Sequence, residues 1–359
     1  MRKALSMVIV GMLVLGLTAC SSSGGTSGSA PAGGSTGTGS SAEAEKNGTK
    51  YWTFATPPTT SALYTYCVGV GQAIQDKMPE YQITMSECTG AVQITKLVRQ
   101  NNATIGNSVS STDFENYTGV GDFNGSAGKD SRILWYYENT PLQLVVSKSS
   151  GITDVAQLNG KKFNPGGATT SAESLTHGIM TALGVKPNYY VAGQSDAGDA
   201  YSNRQIDGVV KAGPAGDSFV VQLNAAVPVR ILSFTDEELD KIVKAIPYVV
   251  KTTIPAGSYS GQDYDVKTVE TMMGVQTSVK NMTQEDGYKL ISCYLGNAKA
   301  SVDAAYPSGK KVDVVKLTLN SPVPLQAGTV QYLVEKGYKV PKNLIPPEYT
   351  PVSGGSNSK

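Results

Sequence analysis

The chain has 359 residues, of which 40% are apolar and only 16% charged; 30 Lys and Arg against 29 Asp and Glu give a formal net charge of +1. That length is the prior for two domains, and so even a charge balance excludes a nucleic-acid binder working through a basic face, which needs an excess of Lys and Arg to neutralise phosphates. A single histidine, His177, and four cysteines without C-x₂₋₄-C or H-x₃₋₅-H spacing provide no metal-ligand set, so neither a metal nor another cofactor is expected.

At the N-terminus, Arg2 and Lys3 precede an apolar run over 4–17 that ends in Leu17-Thr18-Ala19-Cys20. A positive start, an apolar stretch and a small-residue cleavage site read as a secretory signal over 1–19, too short to span a membrane as a mature helix. Leu-Thr-Ala-Cys resembles a bacterial lipobox, which implies cleavage before Cys20 and a lipid on that cysteine. The alternative is an ordinary soluble secretory signal. Of the 21 residues over 21–41, 18 are Gly, Ser or Thr, too few apolar groups to fold. Residues 20–49 therefore read as a lipidated cysteine and tether, with a root-mean-square reach of about 30 Å. The folded body is expected outside the cytoplasm, lipid-anchored to a bacterial membrane at the cell surface or in the periplasm.

From Lys50 onward strand-like and helix-like runs alternate. Residues 51–55, 81–86 and 104–109 read as strands, and 63–78 and 91–100 carry helical spacing of apolar residues. A second series follows: strands 142–147 and 162–164, helix 172–183, strands 189–192 and 207–211, helix 215–224, strand 229–232, helix 236–245 opened by Thr235, and the β-branched run 249–254. Such alternation predicts parallel strands joined by crossover helices. The last helices, 283–295 and 328–335, have few strands of their own and are expected to return to the first half. The expected division is lobe 1 over 50–139 plus 271–347, lobe 2 over 140–270, and a flexible tail over 348–359. Two crossings between lobes make a hinge, and the cleft between lobes is the default ligand site.

Cys67 falls in the first turns of a helix and Cys88 at the end of the next strand, in a compartment where thiols can oxidise. A Cys67–Cys88 disulfide is one reading and free thiols the other. Cys293 has the pattern of a small buried helix residue.

In open α/β sheets ligands sit beyond the carboxyl ends of strands, where helix starts favour anions. The loops at that edge offer Thr56, Thr59, Thr60, Tyr64 and Tyr66 after the first strand, Thr89, Gly90 and Gln93 after the second, and Ser108 and Ser111 after the third. In the second half the equivalents are Gly167, Thr169, Thr170 and Ser171, and then Gly213 and Pro214. Hydroxyls and glycines dominate these loops, and fixed charges are scarce. The same residues also cap helices and make turns in any α/β protein. Pro165-Gly166-Gly167 lacks both the G-x-G-x-x-G pattern and the Gly-Lys-Ser/Thr ending of a phosphate loop, which disfavours a nucleotide.

Four further runs occur in order: Ser150-Gly151-Ile152 through Leu158-Asn159-Gly160-Lys161-Lys162 to Leu183-Gly184-Val185; Ile206-Asp207-Gly208-Val209 to Gly213-Pro214; Ile254-Pro255-Ala256-Gly257-Ser258-Tyr259-Ser260-Gly261-Gln262; and Val323-Pro324-Leu325 to Ala327-Gly328, with Tyr332, Glu335 and Gly337. Together they resemble the TAXI-family solute receptors, the binding subunits of tripartite ATP-independent periplasmic (TRAP) transporters, over nearly everything from Tyr51 to Gly337. The resemblance implies an α/β, two-lobed clamshell like periplasmic binding proteins (type II-like), each lobe a mostly parallel sheet flanked by helices. It also implies a non-enzymatic receptor that hands a small organic anion, glutamate-like or 2-oxoglutarate-like, to TRAP permease subunits. Tyr64-Thr65-Tyr66-Cys67-Val68 stands where that family usually has Gly-Gly-x-Tyr-Tyr, Gly90 at its usual Ser, Gln93 at its usual Asn, Val109 and Ser111 where Gln and Asp are common, and Gln326 at its usual His. The scaffold is similar and the pocket altered.

Two other classes compete with this one. An exported hydrolase would need His177 as its base, yet that residue lies mid-helix and no Gly-x-Ser-x-Gly turn exists. An orphan ligand-sensing lipoprotein would share every feature except the permease. A monomer is expected, with a small organic acid or amino acid as ligand.

Overall fold

The computed structural model describes residues 44–46, 48–59, 61–167 and 170–352. The signal segment, Cys20 and most of the tether lie outside the described residues, as do Thr60 and Thr169.

Strand β1 (Ala44–Lys46) pairs antiparallel with β2 (Thr49–Thr56), so pairing begins inside the stretch read as tether. Helix α1 (Ala62–Lys77) opens at Ser61, whose hydroxyl accepts from the Leu63 amide. Then come β3 (Tyr81–Glu87), α2 (Ala91–Arg99), β4 (Ile105–Val109) and α3 (Ser110–Thr118). β2 pairs in parallel with both β3 and β4, as strand-helix-strand alternation requires.

β5 (Ser131–Ser147) is a single strand of 17 residues. Beyond it lie β6 (Lys162–Asn164), α4 (Ser171–Leu183), β7 (Asn188–Tyr189), α5 (Gln194–Ser202), β8 (Gly208–Ala212), α6 (Ser218–Ala226) and β9 (Val229–Leu232). α7 (Asp236–Ala245) has a full capping box between Thr235 and Glu238, the pairing that satisfies two helix-start amides at once. β10 (Val250–Ile254) leads to the second long strand, β11 (Val266–Ser278). The chain closes with α8 (Gln284–Leu295), α9 (Lys299–Ala305), α10 (Val314–Thr318) and α11 (Ala327–Glu335).

The two long strands organise the molecule. Residues 131–141 of β5 pair antiparallel with 270–278 of β11, whereas 142–147 pair with β8 and β9, and 266–270 of β11 pair with β10. Each strand therefore passes from one sheet region into the other. Where they cross, the Thr140 and Thr271 hydroxyls meet at 2.8 Å and the Asn139 amide donates to Glu270 at 2.7 Å. The sheets are consequently mixed, with parallel pairs along the crossovers and antiparallel pairs along β5 and β11.

Apolar burial divides the same way. One set of buried clusters gathers Trp52, Phe54, Trp135, Tyr137, Leu290 and Tyr294 with Ile133, Met272, Leu325 and Leu333. The other draws on 142–269 alone, around Phe163, Ile179, Val210, Ile242, Tyr201 and Val220. No described cluster mixes the sets, so two lobes, each with its own core, are joined through β5 and β11. α8 and α11 bury Ile291 and Val330 in the first set. They approach so closely that a Cβ at Gly328 would meet the α8 backbone at Tyr288 and Gln284, which leaves glycine as the residue that fits.

One expectation needs correction, and one open alternative is decided. Residue 348 was expected to open a flexible tail. Instead Glu348 takes a bidentate pair from Arg132 at 2.6 and 2.7 Å, and the Thr350 amide donates to Gln284 at 3.0 Å. A guanidinium only 4% exposed requires such a counter-charge. The Cys67–Cys88 disulfide is absent, both residues being free thiols. Cys67 lies in the aromatic core with its thiol directed at the side-chain amide oxygen of Asn107, while Cys88 belongs to a separate cluster with Ile94 and Val98 and points back to the Ser86 backbone carbonyl.

Candidate functional site

Three helices begin at one place. α2 starts at Gly90, whose φ of 171° is ordinary extended backbone and which supplies no side-chain cap. α3 starts from Val109, again without a side-chain cap. α4 starts at Thr170, whose hydroxyl accepts from the Glu173 amide at 3.2 Å. Between these starts lies a cavity of about 430 Å³. Thr89, Gly90, Gln93, Val109, Ser111 and Thr112 wall it from the first lobe, and Thr170, Ser171, Ser174 and Tyr248 from the second.

Helix starts present unpaired N–H groups and the positive end of the peptide dipoles. The cavity is thereby biased toward an anion although no Lys or Arg is among its described lining residues. Its fixed charges are instead two acids, Glu115 of α3 and Asp122 of the short turn at Gly121–Phe123. Burial pushes the Glu115 carboxyl up, the neighbouring Asp122 charge pushes it further, and the Asp122 amide opposes both.

The lobes touch beside the cavity. The Ser110 hydroxyl donates to the Tyr248 carbonyl at 3.1 Å and accepts from the Met272 amide at 3.1 Å, and the Phe114 and Tyr248 rings lie 5.8 Å apart. α3 thus contacts the cavity, the second lobe and β11 at once.

Of the residues expected from sequence, Thr89, Gly90, Gln93, Ser111, Thr170 and Ser171 come together here. Gln93 is turned toward Thr89, accepting from its amide at 2.7 Å and its hydroxyl at 2.8 Å. The others are placed elsewhere. Thr56 is fully buried and its hydroxyl donates to the Ser86 carbonyl, while Thr59 bonds the Glu87 carboxylate. Tyr64 is half-buried and outside the described cavity wall. Tyr66 is a core residue, 1% exposed: its ring stacks on Tyr137, and its hydroxyl donates to Tyr294 at 2.9 Å and accepts from Trp135 at 2.8 Å. Ser108 is fully buried beside Asp113. Gly167, with φ of 91°, shapes the turn into α4 by donating its amide to Asn164. The Gly213 and Pro214 carbonyls accept from Gln143 behind the cleft. His177 faces Tyr189 on α4, with Glu173 3.8 Å away, outside the cavity wall.

Glu115, Asp122, Ser174 and Tyr248 were not anticipated. Ser174 could have been found from its place one turn into α4 beside Thr170 and Ser171. Tyr248 lies in the connection between α7 and β10, where no periodicity points at a cleft. Among the described residues no group of three or more His, Cys, Asp or Glu is placed to hold a metal ion, and no helix is long and apolar enough to cross a membrane.

The sequence profile of the NMT1-like family matches residues 54–337. The chain belongs to the NMT1-like family. The match spans both lobes and every element that walls the cavity, so the NMT1-like family assignment covers the site as well as the scaffold. No curated protein matches the sequence. Among solved structures, the chain is similar to the alkanesulfonate-binding protein SsuA of Xanthomonas axonopodis pv. citri bound to MOPS, at 13% identity over 82% of this chain and 96% of that one, with a TM-score of 0.39. It is similar also to the periplasmic aliphatic sulphonate binding protein SsuA of Escherichia coli (13%, 82% and 94%, TM-score 0.43) and to MatC of Rhodopseudomonas palustris with bound malate (12%, 72% and 88%, TM-score 0.43). The ligands in those structures belong to those proteins.

Proposed function

We propose that this protein is an extracytoplasmic solute receptor that takes a small organic anion into the cavity between its lobes, with its ligand's carboxylate at the starts of α2, α3 and α4. The observation that carries this reading is the convergence of three helix starts from two lobes on one polar cavity without a Lys or Arg in its described wall. Helix starts and hydroxyls hold carboxylates without formal positive charge. Because both lobes contribute contacts, a bound ligand favours the closed arrangement over the open one. The lobes we propose are 50–139 plus 271–347 and 140–270, hinged where β5 and β11 cross. Micromolar binding corresponds to about −8 kcal/mol, within reach of a few well-placed donors plus apolar burial.

In this proposal Cys20 carries the lipid anchor, as the lipobox-like run implies, and TRAP permease subunits receive the solute, as the TAXI-like motifs imply. Glutamate and 2-oxoglutarate are the starting candidates. A thermal-shift screen of organic acids and amino acids tests the reading: at least one carboxylate should raise the melting temperature in a concentration-dependent way, and stabilisation by none would overturn it.

A further inference from the structure

Positive charge gathers in a second cavity, at the end of lobe 1 away from the cleft. Its volume is about 300 Å³, and its lining includes Arg99, Lys129, Lys280 and Asp130 with the buried Ser131 and Ser278. Lys280 pairs with Asp130 at 3.0 Å. Arg99 and Lys129 have no carboxylate partner among the described residues: the Arg99 guanidinium lies 5.6 Å from the centre of the Phe123 ring and donates to the Ser126 hydroxyl at 3.0 Å, and the Lys129 ammonium lies 4.2 Å over Tyr117. Rings hold these cations in place without neutralising them. Lys96 stands on the other side of Arg99, in an adjoining cavity of about 390 Å³ whose acid is Asp122. Four cations thus face two acids. The hydroxyl of Ser278, a residue 3% exposed, has no partner, and the Ser131 hydroxyl accepts from the Asn116 amide at 2.6 Å with its own proton left to donate. An oxyanion would relieve the cation excess and accept from the buried hydroxyls.

Position selects the source of that oxyanion. In the sheet of lobe 1 the Thr104 amide donates to the Thr53 carbonyl at 2.9 Å and the Thr277 hydroxyl to the Thr104 carbonyl at 2.8 Å, so β2, β4 and β11 are in line at these residues. The start of β2 and Ser278 therefore project from the same end of the lobe, and β1 joins them there, Ala44 pairing with Tyr51. The 24 residues from Cys20 to Ala44, read from sequence as tether, have a reach of about 25–30 Å. We propose that Arg99, Lys129 and Lys280 bind the phosphate groups of anionic lipid in the membrane that holds Cys20. This rests on the anchored reading of Cys20 and adds a second, electrostatic contact to it. Because α2 begins at the ligand cavity and ends at Arg99, lipid held here leaves the cleft uncovered.

The test is co-sedimentation of a chain beginning after Cys20, which keeps every described residue, with vesicles of phosphatidylcholine alone or with about 30% phosphatidylglycerol. The protein should bind the anionic vesicles at about 50 mM salt, leave them at about 500 mM, and ignore the neutral ones. Lys129→Gln with Lys280→Gln should weaken that binding about 25-fold, roughly fivefold for each charge, and adding Arg99→Gln should weaken it about fivefold more. Lys186→Gln with Lys241→Gln makes the same change of charge on lobe 2 and should weaken it less than about twofold. All four lysines are exposed, so both double variants should melt with the wild type. Equal losses in the two double variants would overturn the site, as would absence of binding to anionic vesicles. Inorganic phosphate that binds the wild type in isothermal titration while vesicles do not would give the cavity to the free anion and overturn the lipid reading. The assay omits Cys20 and the solute, so its failure leaves the anchor and the solute cavity standing; the mass of the mature chain and the thermal-shift screen test those separately.

Discussion

Ser110 and Ser111 are adjacent, equally small and both buried, but they face different tasks, and replacing each with Ala separates fold from function. The Ser110 hydroxyl joins three elements: it accepts from the Met272 amide of β11 and donates to the Tyr248 carbonyl of the second lobe, both at 3.1 Å. Ser110→Ala leaves one buried donor and one acceptor unsatisfied. At about 1–3 kcal/mol each the loss is about 2–6 kcal/mol. For a folded body of this size, at roughly 2 °C per kcal/mol, the melting temperature should fall by about 4–12 °C. Ser111 lines the cavity, and Ser111→Ala should shift stability by no more than about 0.5 kcal/mol. Loss of a hydrogen bond to a ligand carboxylate, however, weakens binding about 10-fold or more. Thermal melts and isothermal titration of the two variants with a carboxylate ligand decide the matter. Equal melting temperatures, or a Ser111→Ala variant that binds like the wild type, would refute this division of labour.

Tyr66→Phe removes the acceptor for the buried Trp135 indole N–H and should cost about 1–3 kcal/mol in denaturant melts with no change in ligand affinity; a selective loss of binding would contradict the placement of Tyr66 in the core. Burial holds the Asp113 carboxyl up at about 7, against the hydrogen bond donated by the Tyr136 hydroxyl. Because the folded value lies above that of the unfolded chain, stability tied to this group is full below about pH 4 and is lost as pH rises through about 7. Asp113→Asn should therefore gain on the wild type between about pH 5 and pH 8, and a stability difference independent of pH would contradict the shift. Unfolded without reductant, a chain beginning after Cys20 should show three reactive thiols, from Cys67, Cys88 and Cys293; a count of one would mean that a disulfide forms.

Alternation of strand and helix patterns was enough to read the two-lobed α/β plan and most element positions, because β2, β3, α2, α4 and α7 carry regular apolar spacing between polar turns. The long strands were less legible. In β5 the Asn139-Thr140-Pro141 stretch looks like a turn, yet the strand runs through it because β11 pairs on that side. α3 went unseen because its buried residues are Ser110, Ser111, Thr112, Asp113 and Asn116, polar groups invisible to a hydrophobic period. Loop chemistry located the starts of α2 and α4 correctly but not the side chains opposite them. Tyr66 was drawn to the cleft by its closeness to the first loop. Its helical phase with Val70, Ala73 and Ile74, all buried, was the signal for the core. Glu115, Asp122 and Tyr248 reach the cavity from turns and a polar helix, whose paths only tertiary packing sets.

The most direct test is isothermal titration of the Gly90→Asp variant with a carboxylate that binds the wild type. Gly90 caps α2 without a side chain, its backbone suits any residue, and a Cβ there meets nothing within 4 Å. Asp at a helix cap is at least as stabilising as Gly, so the fold should persist with its melting temperature undiminished. The new carboxylate occupies the α2 amides and repels the ligand's own, and binding should fall about tenfold or more. Unchanged affinity in a stably folded Gly90→Asp protein would contradict the claim that helix starts hold the ligand.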